Sequence, residues 1–386
     1  MKIVYCIKGL FYSGGMEKIL TEKVNYLVKN YRYEVYVITT DQKERPFFFL
    51  LDKKVKHLDL GLNYSDDFDK NFIKRILIYI QKQKKHKEKM ENLIKEVKPD
   101  ILISLGDDER SFLYKFKDKK IKVIREHHFN KKYMLQEKQK NFLYLLKSYY
   151  MYIKEIFLVN KYDEFIVLTE EDKKQWKNKK VKVIPNFISS FPKEISSCEN
   201  KKIISVGRLE YQKGYDILID IWKKIEEKYP DWILEIYGNG TEKEKLQEKI
   251  NNLGLEKSFL LKGVTENIKE KYLASSIYVM SSRYEGMPMV LLEAMAPGLP
   301  VVSFECPCGP KDIIKDNEDG YLVSFGNVEQ MAKKIEELII NKEKRKFFGK
   351  NARKNVERFS QDKIMEKWKS LFEKETNYEL SSKLKE

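Results

Sequence analysis

The chain has 386 residues, more than one ordinary domain holds, so two domains of under about 200 residues each are the natural division. Its 75 basic and 59 acidic residues leave a formal charge of +16, which points to an anionic partner such as a nucleotide, nucleic acid or acidic lipid headgroups. Cys6, Cys198, Cys306 and Cys308 have neither disulfide-framework nor zinc-site spacing, which argues for a reducing, cytoplasmic setting and against a stapled secreted domain. The opening apolar run Ile3–Ile7 is too short for a signal peptide. No segment reaches the roughly 18 apolar residues of a membrane span, so the expected membrane contact is peripheral.

Short apolar runs alternate with amphipathic stretches, which is the pattern of parallel sheets with crossover helices. Residues 1–187 read as a first domain, with strands at Lys2–Ile7, Glu34–Thr39, Ile101–Leu105, Lys122–Arg125 and Glu164–Leu168. Ligands in such sheets sit beyond the carboxyl ends of the strands, so the loops there carry the interest. After the first strand, Gly14 and Gly15 precede a helix starting near Met16, where glycines allow backbone amides to approach a phosphate. The spacing matches neither Gly-x-Gly-x-x-Gly nor a Walker loop, which leaves a dinucleotide or ATP site unsupported. Residues 70–98 hold ten Lys or Arg and three Glu among apolar residues, and residues 131–154 add six lysines around aromatics. Both fit an anionic membrane surface as well as lysine-rich outer helix faces. Arg125-Glu126-His127-His128 follows the fourth strand, and a histidine there, oriented by Glu126, can bond a sugar hydroxyl or manage a proton.

The pattern restarts after a polar linker, residues 188–200, which contains Pro192 and two serine pairs. The second domain, 201–358, has strands at Lys202–Val206, Ile233–Tyr237, Phe259–Lys262, Ile277–Met280 and Pro300–Phe304. Its first loop, from Gly207, sets Arg208 and Lys213 where two cations can hold a diphosphate. The loops Tyr237–Glu242 and Lys262–Asn267 offer backbone groups to a nucleobase. Glu285 and Glu293 straddle a Gly-Met-Pro turn and the first turn of an apolar helix, with the amides of Gly286, Met287, Met289 and Val290 between them. Amides and a helix start attract phosphate while carboxylates accept bonds from sugar hydroxyls, so one short element can grip both halves of a nucleotide sugar. A final basic helix, Gln361–Lys374 within the tail 359–386, carries Ile364, Trp368, Leu371 and Phe372 on one face, which fits packing on either domain.

These residues resemble the retaining glycosyltransferases of family four, and the likeness spans nearly the whole chain. It rests on Gly-Gly-Met-Glu at 14–17, Arg-Glu-His at 125–127, Ile-Pro-Asn at 184–186, Gly-Arg-Leu at 207–209 with Lys213, and Glu-Gly-Met-Pro through Glu-Ala-Met at 285–295. The continuation 298–323 is similar to bacterial members that build capsule, exopolysaccharide or O-antigen chains. The resemblance implies a GT-B fold, two Rossmann-like doubly wound domains facing a cleft. It implies Glu293 on the donor ribose and Glu285 on the donor sugar. Arg208 and Lys213, helped by the loops at Gly207 and at Gly14 and Gly15, take the diphosphate, Val264 and Thr265 meet the base through backbone groups, and His127 lies near the transferred sugar, a place that a one-residue shift would give to His128. It further implies a nucleotide-sugar donor, UDP-linked by preference, a glycan or lipid-linked glycan acceptor, and no metal. A nucleic-acid-binding protein has only the charge to support it, and a phosphorylase or epimerase of the same fold has no identifying residue here.

Overall fold

The computed structural model describes residues 1–67, 71–118, 120–136, 142–176, 178 and 180–373. Its first sheet contains β1 Lys2–Ile7, β2 Glu34–Thr39, β3 Lys56–Asp59, β4 Ile101–Ser104, β5 Lys122–Glu126, β6 Glu164–Val167 and β7 Val181–Val183, in the order β3-β2-β1-β4-β5-β6-β7. The second contains β8 Lys202–Val206, β9 Ile233–Tyr237, β10 Phe259–Gly263, β11 Ile277–Met280, β12 Val301–Phe304 and β13 Gly320–Val323, in the order β10-β9-β8-β11-β12-β13. Every pairing is parallel. The strand order turns back beside β1 and beside β8, so the switch points that bind ligands in doubly wound sheets lie between β1 and β4 and between β8 and β11.

Interior strands such as β4, β6, β11 and β12 are buried along their whole length, and each is a continuous apolar run flanked by helices on both faces. Three strands beyond the sequence reading, β3, β7 and β13, are all edge strands. β3 alternates exposed and half-buried residues in Lys-His-Leu-Asp, β7 spans only three residues, and β13, although mostly buried, has only four residues and begins with glycine, so none is a long apolar run.

The last helix, Gln361–Glu373, packs on the first domain. Ile364, Met365, Trp368, Leu371 and Phe372 join the cluster built from β1, β2, β4 and the helix Gly15–Asn30. Tyr26, Tyr31 and Tyr33 donate their hydroxyls to Asp362, Glu366 and Glu373 at 2.8, 2.8 and 2.6 Å. Beneath them the buried Lys23 ammonium lies 3.9 Å from the Trp368 ring centroid. Lys374 and the rest of the tail lie outside the described residues, as do 70 and 137–141 of the two basic stretches.

Candidate active site

The carboxyl ends of β8, β9, β10 and β11 are drawn together by backbone-to-backbone contact. Gly207 N donates to Tyr237 O at 3.0 Å, and Gly238 N donates to Gly263 O at 2.8 Å. Gly214 has φ +65, and a Cβ there would stand 2.2 Å from Ser281 O. Only glycine lets the β8 loop lie so closely on the β11 loop.

That apposition delivers Lys213 to Glu285. Lys213 Nζ lies 2.7 Å from Glu285 Oε1, and Ser282 Oγ donates to the same oxygen at 2.6 Å. Gln212 Nε2 stands 3.5 Å from Oε2 and donates to Tyr284 O at 3.0 Å. Glu285 is 6% exposed, so its charge is balanced by an adjacent ammonium rather than by water. Arg208 projects into solvent, where its guanidinium meets only the Gln212 side-chain oxygen among the described residues, at 3.3 Å.

Glu293 follows on the helix Met289–Met295 and opens into an interdomain cavity of about 160 Å³. Lys18, Glu22, Ser189, Tyr272 and Met289 share its wall. Lys18 Nζ, from the first domain, lies 2.7 Å from Glu293 Oε1, so the ammonium of one domain is paired with the carboxylate of the other. The Tyr272 hydroxyl is buried beside Glu293, and burial, then the Glu293 charge, push its pKa well above the usual range. Val264 is 79% exposed, so its side chain leaves the backbone around it open. Thr265 Oγ1 accepts from Asn267 N at 3.2 Å. Arg208, Lys213, Val264 and Thr265 lie beyond the cavity wall that Glu293 shares.

From the first domain, Gly14 and Gly15 open the helix Gly15–Asn30. A Cβ on Gly15 would meet nothing within 4 Å, whereas one on Gly14 would strike the Glu17 carboxylate at 2.2 Å. The β5 loop comes closer still to the second domain. Asn130 Nδ2 donates to Glu285 O at 2.9 Å, and a Cβ on Gly286 would stand 2.3 Å from His128 O.

Strand alternation separates the two histidines. His127 follows Val123 and Arg125 to one face, where it is 3% exposed among Phe165, Trp176, Tyr133 and Phe129. Neither of its ring nitrogens has a hydrogen-bond partner among the described residues. Burial first, then Arg125, lowers its pKa to about 3, so the ring is neutral. His128 takes the opposite face with Glu126, on the side of the Gly15–Asn30 helix, and its Nε2 lies 3.0 Å from Glu126 Oε1. Burial pushes Glu126 up, but Lys23 and then His128 outweigh it and hold the carboxyl at about 2, so it accepts from both.

The structure thus joins Lys213 to Glu285 directly and sets Gly286 against the β5 loop. Three partners escaped the sequence reading: Lys18, Ser282 and Asn130. Ser282 sits three residues from Glu285 and shares its loop. Lys18 and Asn130 act across the domain boundary, where no local pattern marks them. Among the described residues, no three His, Cys, Asp or Glu side chains gather as metal ligands, and all four cysteines are free and buried.

Comparison with known proteins places these features in a wider set. The family described as glycosyl transferases group 1 matches residues 188–355. A Haemophilus influenzae protein named uncharacterized glycosyltransferase is 31% identical over 376 residues, covering 96% of this chain and 99% of its own. A Campylobacter jejuni protein is 29% identical over 388 residues, covering 96% of this chain and 98% of its own. It is named as the N-acetyl-D-galactosaminyltransferase of a GalNAc-GalNAc-diNAcBac-PP-undecaprenol. The crystal structure of S. aureus TarM superposes with a TM-score of 0.80 at 20% identity, over 96% of this chain and 98% of that one, which is a likeness of fold.

Proposed function

The chain belongs to the group 1 glycosyl transferases and has their GT-B fold, and on that premise we propose that it moves a hexose or N-acetylhexosamine from a UDP-sugar to a glycan acceptor with retention of configuration. The acceptor is a growing cell-surface polysaccharide carried on polyprenyl diphosphate at the cytoplasmic face of the membrane. The undecaprenol-linked substrate in the name of the Campylobacter relative supports this reading.

The observation that carries the proposal is the Lys213–Glu285 pair at the β8/β11 switch point, facing the first domain across a cleft that Glu293 helps to line. As the nucleotide leaves, the anomeric carbon becomes oxocarbenium-like and negative charge gathers on the departing phosphate oxygen. Lys213 has three N–H donors, so it can keep Glu285 and still donate to that phosphate. Arg208, held among the described residues by Gln212 alone, can swing its planar fork onto the same group. Glu285 then touches the donor sugar, Glu293 takes the ribose hydroxyls, and backbone groups at Val264 and Thr265 meet the base. The amides of Gly286, Met287, Met289 and Val290, with Gly207, Gly14 and Gly15, complete the phosphate cradle. With two cations on the leaving group, the reading calls for no metal and no enzymic nucleophile. Both histidine side chains are nearly buried, at 3 and 5%, and we assign the sugar-facing role to His128 because its ring bonds Glu126 on the side of the helix that Gly14 and Gly15 open, whereas His127 stands on the opposite face in an aromatic cluster.

A hydrolysis screen over UDP- and GDP-sugars tests the proposal, because slow donor hydrolysis needs no acceptor. One UDP-sugar should be cleaved above background, and UDP at 100 times its dissociation constant should stabilise the fold by about 2.7 kcal/mol. Stabilisation by an oligonucleotide and by neither nucleotide would refute it.

A further inference from the structure

Two helices of the first domain turn apolar faces to solvent. On the helix Phe142–Val159, Leu146, Tyr149, Tyr150, Ile153 and Phe157 are 50, 55, 66, 36 and 69% exposed. Their spacing places them on one stripe, where a domain helix ordinarily carries charge. The opposite face is fully engaged. Glu155 is buried, its Oε2 lies 2.8 Å from Arg110 Nη1, and its Oε1 lies 3.5 Å from Arg125 Nε, which pins the helix to the ends of β4 and β5. The first turns of the helix Phe72–Val97 add exposed Ile76, Leu77 and Ile80. That helix is tied to the same loop, since Gln83 Nε2 donates to Asp108 O at 2.8 Å.

Exposed lysines outnumber carboxylates on these faces, where Glu88 is the exposed acid beside Lys84 and Lys85. Lys147 is exposed beside it, Lys74, Lys84 and Lys85 are exposed on the neighbouring helix, and the one carboxylate of Phe142–Val159 is the buried Glu155. Apolar side chains, tyrosines and a net excess of lysine match the boundary between acyl chains and anionic headgroups. A second copy of the chain would set these lysines against themselves. No helix among the described residues is long and apolar enough to cross a bilayer, so the contact is made from one side.

We propose that this stripe docks the first domain on an anionic bilayer surface and lays the mouth of the cleft beside the headgroups. The docking deepens the reading above, on which the lipid-linked acceptor rests. Arg110 and Arg125 then lie behind the docking helix, both facing its buried Glu155.

The test compares wild type with a Tyr150→Ser, Phe157→Ser double variant, whose two side chains pack least against the protein. Sedimentation uses vesicles of phosphatidylcholine alone and with phosphatidylglycerol added. Wild type should pellet only with the anionic vesicles and be released by salt. The variant should lose at least about tenfold in vesicle affinity, with its thermal melt and its UDP-sugar hydrolysis unchanged. Failure of wild type to pellet, equal binding by the variant, or a dimer in sedimentation velocity that the variant abolishes would each overturn the docking surface. Vesicle binding without hydrolysis of any nucleotide sugar would keep the surface and overturn the catalytic reading instead.

Discussion

Glu293 and Lys18 are both partly exposed, at 23 and 36% for their side chains, so their bond adds at most about 1 kcal/mol to stability. Two ribose hydroxyls donating to that carboxylate would together be worth more, since a hydrogen bond to a charged group contributes about 1.5 to 3 kcal/mol. Glu293→Ala should therefore weaken UDP binding by about 10- to 100-fold in titration calorimetry while shifting the melting temperature little. Lys213 is asked to act in the transition state rather than in binding. Lys213→Ala should lower turnover by about 10² to 10³, with a smaller change in KM. His127 makes a separate prediction about acid. Its folded pKa of about 3 lies below the 6.5 of a free histidine, so between those values the unfolded chain holds a proton that the folded chain does not. Stability from this group is full above pH 6.5 and drains away as pH falls through that window. In His127→Gln, urea titrations from pH 6.5 down to 4.5 should show a slope shallower than wild type by up to about 1.4 kcal/mol per pH unit. The face that each histidine takes was open in the sequence because β5 ends one residue beyond the run Lys122–Arg125, and a single residue exchanges the two faces.

At the scale of elements, the interior strands announce themselves as apolar runs, whereas β3, β7 and β13 do not, because each is an edge strand of three or four residues and β3 and β13 carry polar residues or glycine. The terminal helix shows the complementary case. Its stripe of Ile364, Trp368, Leu371 and Phe372 was plain in the sequence, whereas its destination was not, since an apolar stripe satisfies any apolar surface. The destination is decided by Lys23, a buried cation that needs both Glu126 and an aromatic face, and by three tyrosines that reach the helix carboxylates. Trp368→Ala leaves a cavity under that cation and should cost about 3–5 kcal/mol in urea unfolding. Because Lys23 also bonds the carboxylate that holds His128, the same variant should slow turnover beyond what the lost folded fraction explains.

For the whole molecule, function depends on how the two domains meet. The contacts include Lys18 to Glu293, Asn130 to Glu285 O, Glu170 N to Asp312 at 2.8 Å, Cys308 N to Glu171 at 3.0 Å, and Gly286 under His128 O. Gly286 has no positive φ, so its own domain accommodates alanine there, but a Cβ 2.3 Å from the facing carbonyl cannot coexist with this closure. Gly286→Ala should leave UDP affinity within a few-fold of wild type. It should lower turnover by at least about tenfold, because reacting groups held apart lose their alignment, and small-angle scattering should show a larger radius of gyration.

The amino-acid sequence by itself determined two doubly wound domains, the strand-end loops at their switch points, and the residue types on which the proposed grip of a nucleotide sugar rests. Those properties are local, written in apolar runs and in glycines, cations and carboxylates at strand ends. Tertiary structure alone decided that Lys213 pairs with Glu285, that Lys18 reaches Glu293 from the other domain, which histidine lies on which face, and where the last helix docks. Each of these depends on residues up to 345 positions apart, as with Lys23 and Trp368, meeting in a packed interior, and sequence spacing carries no record of such distances.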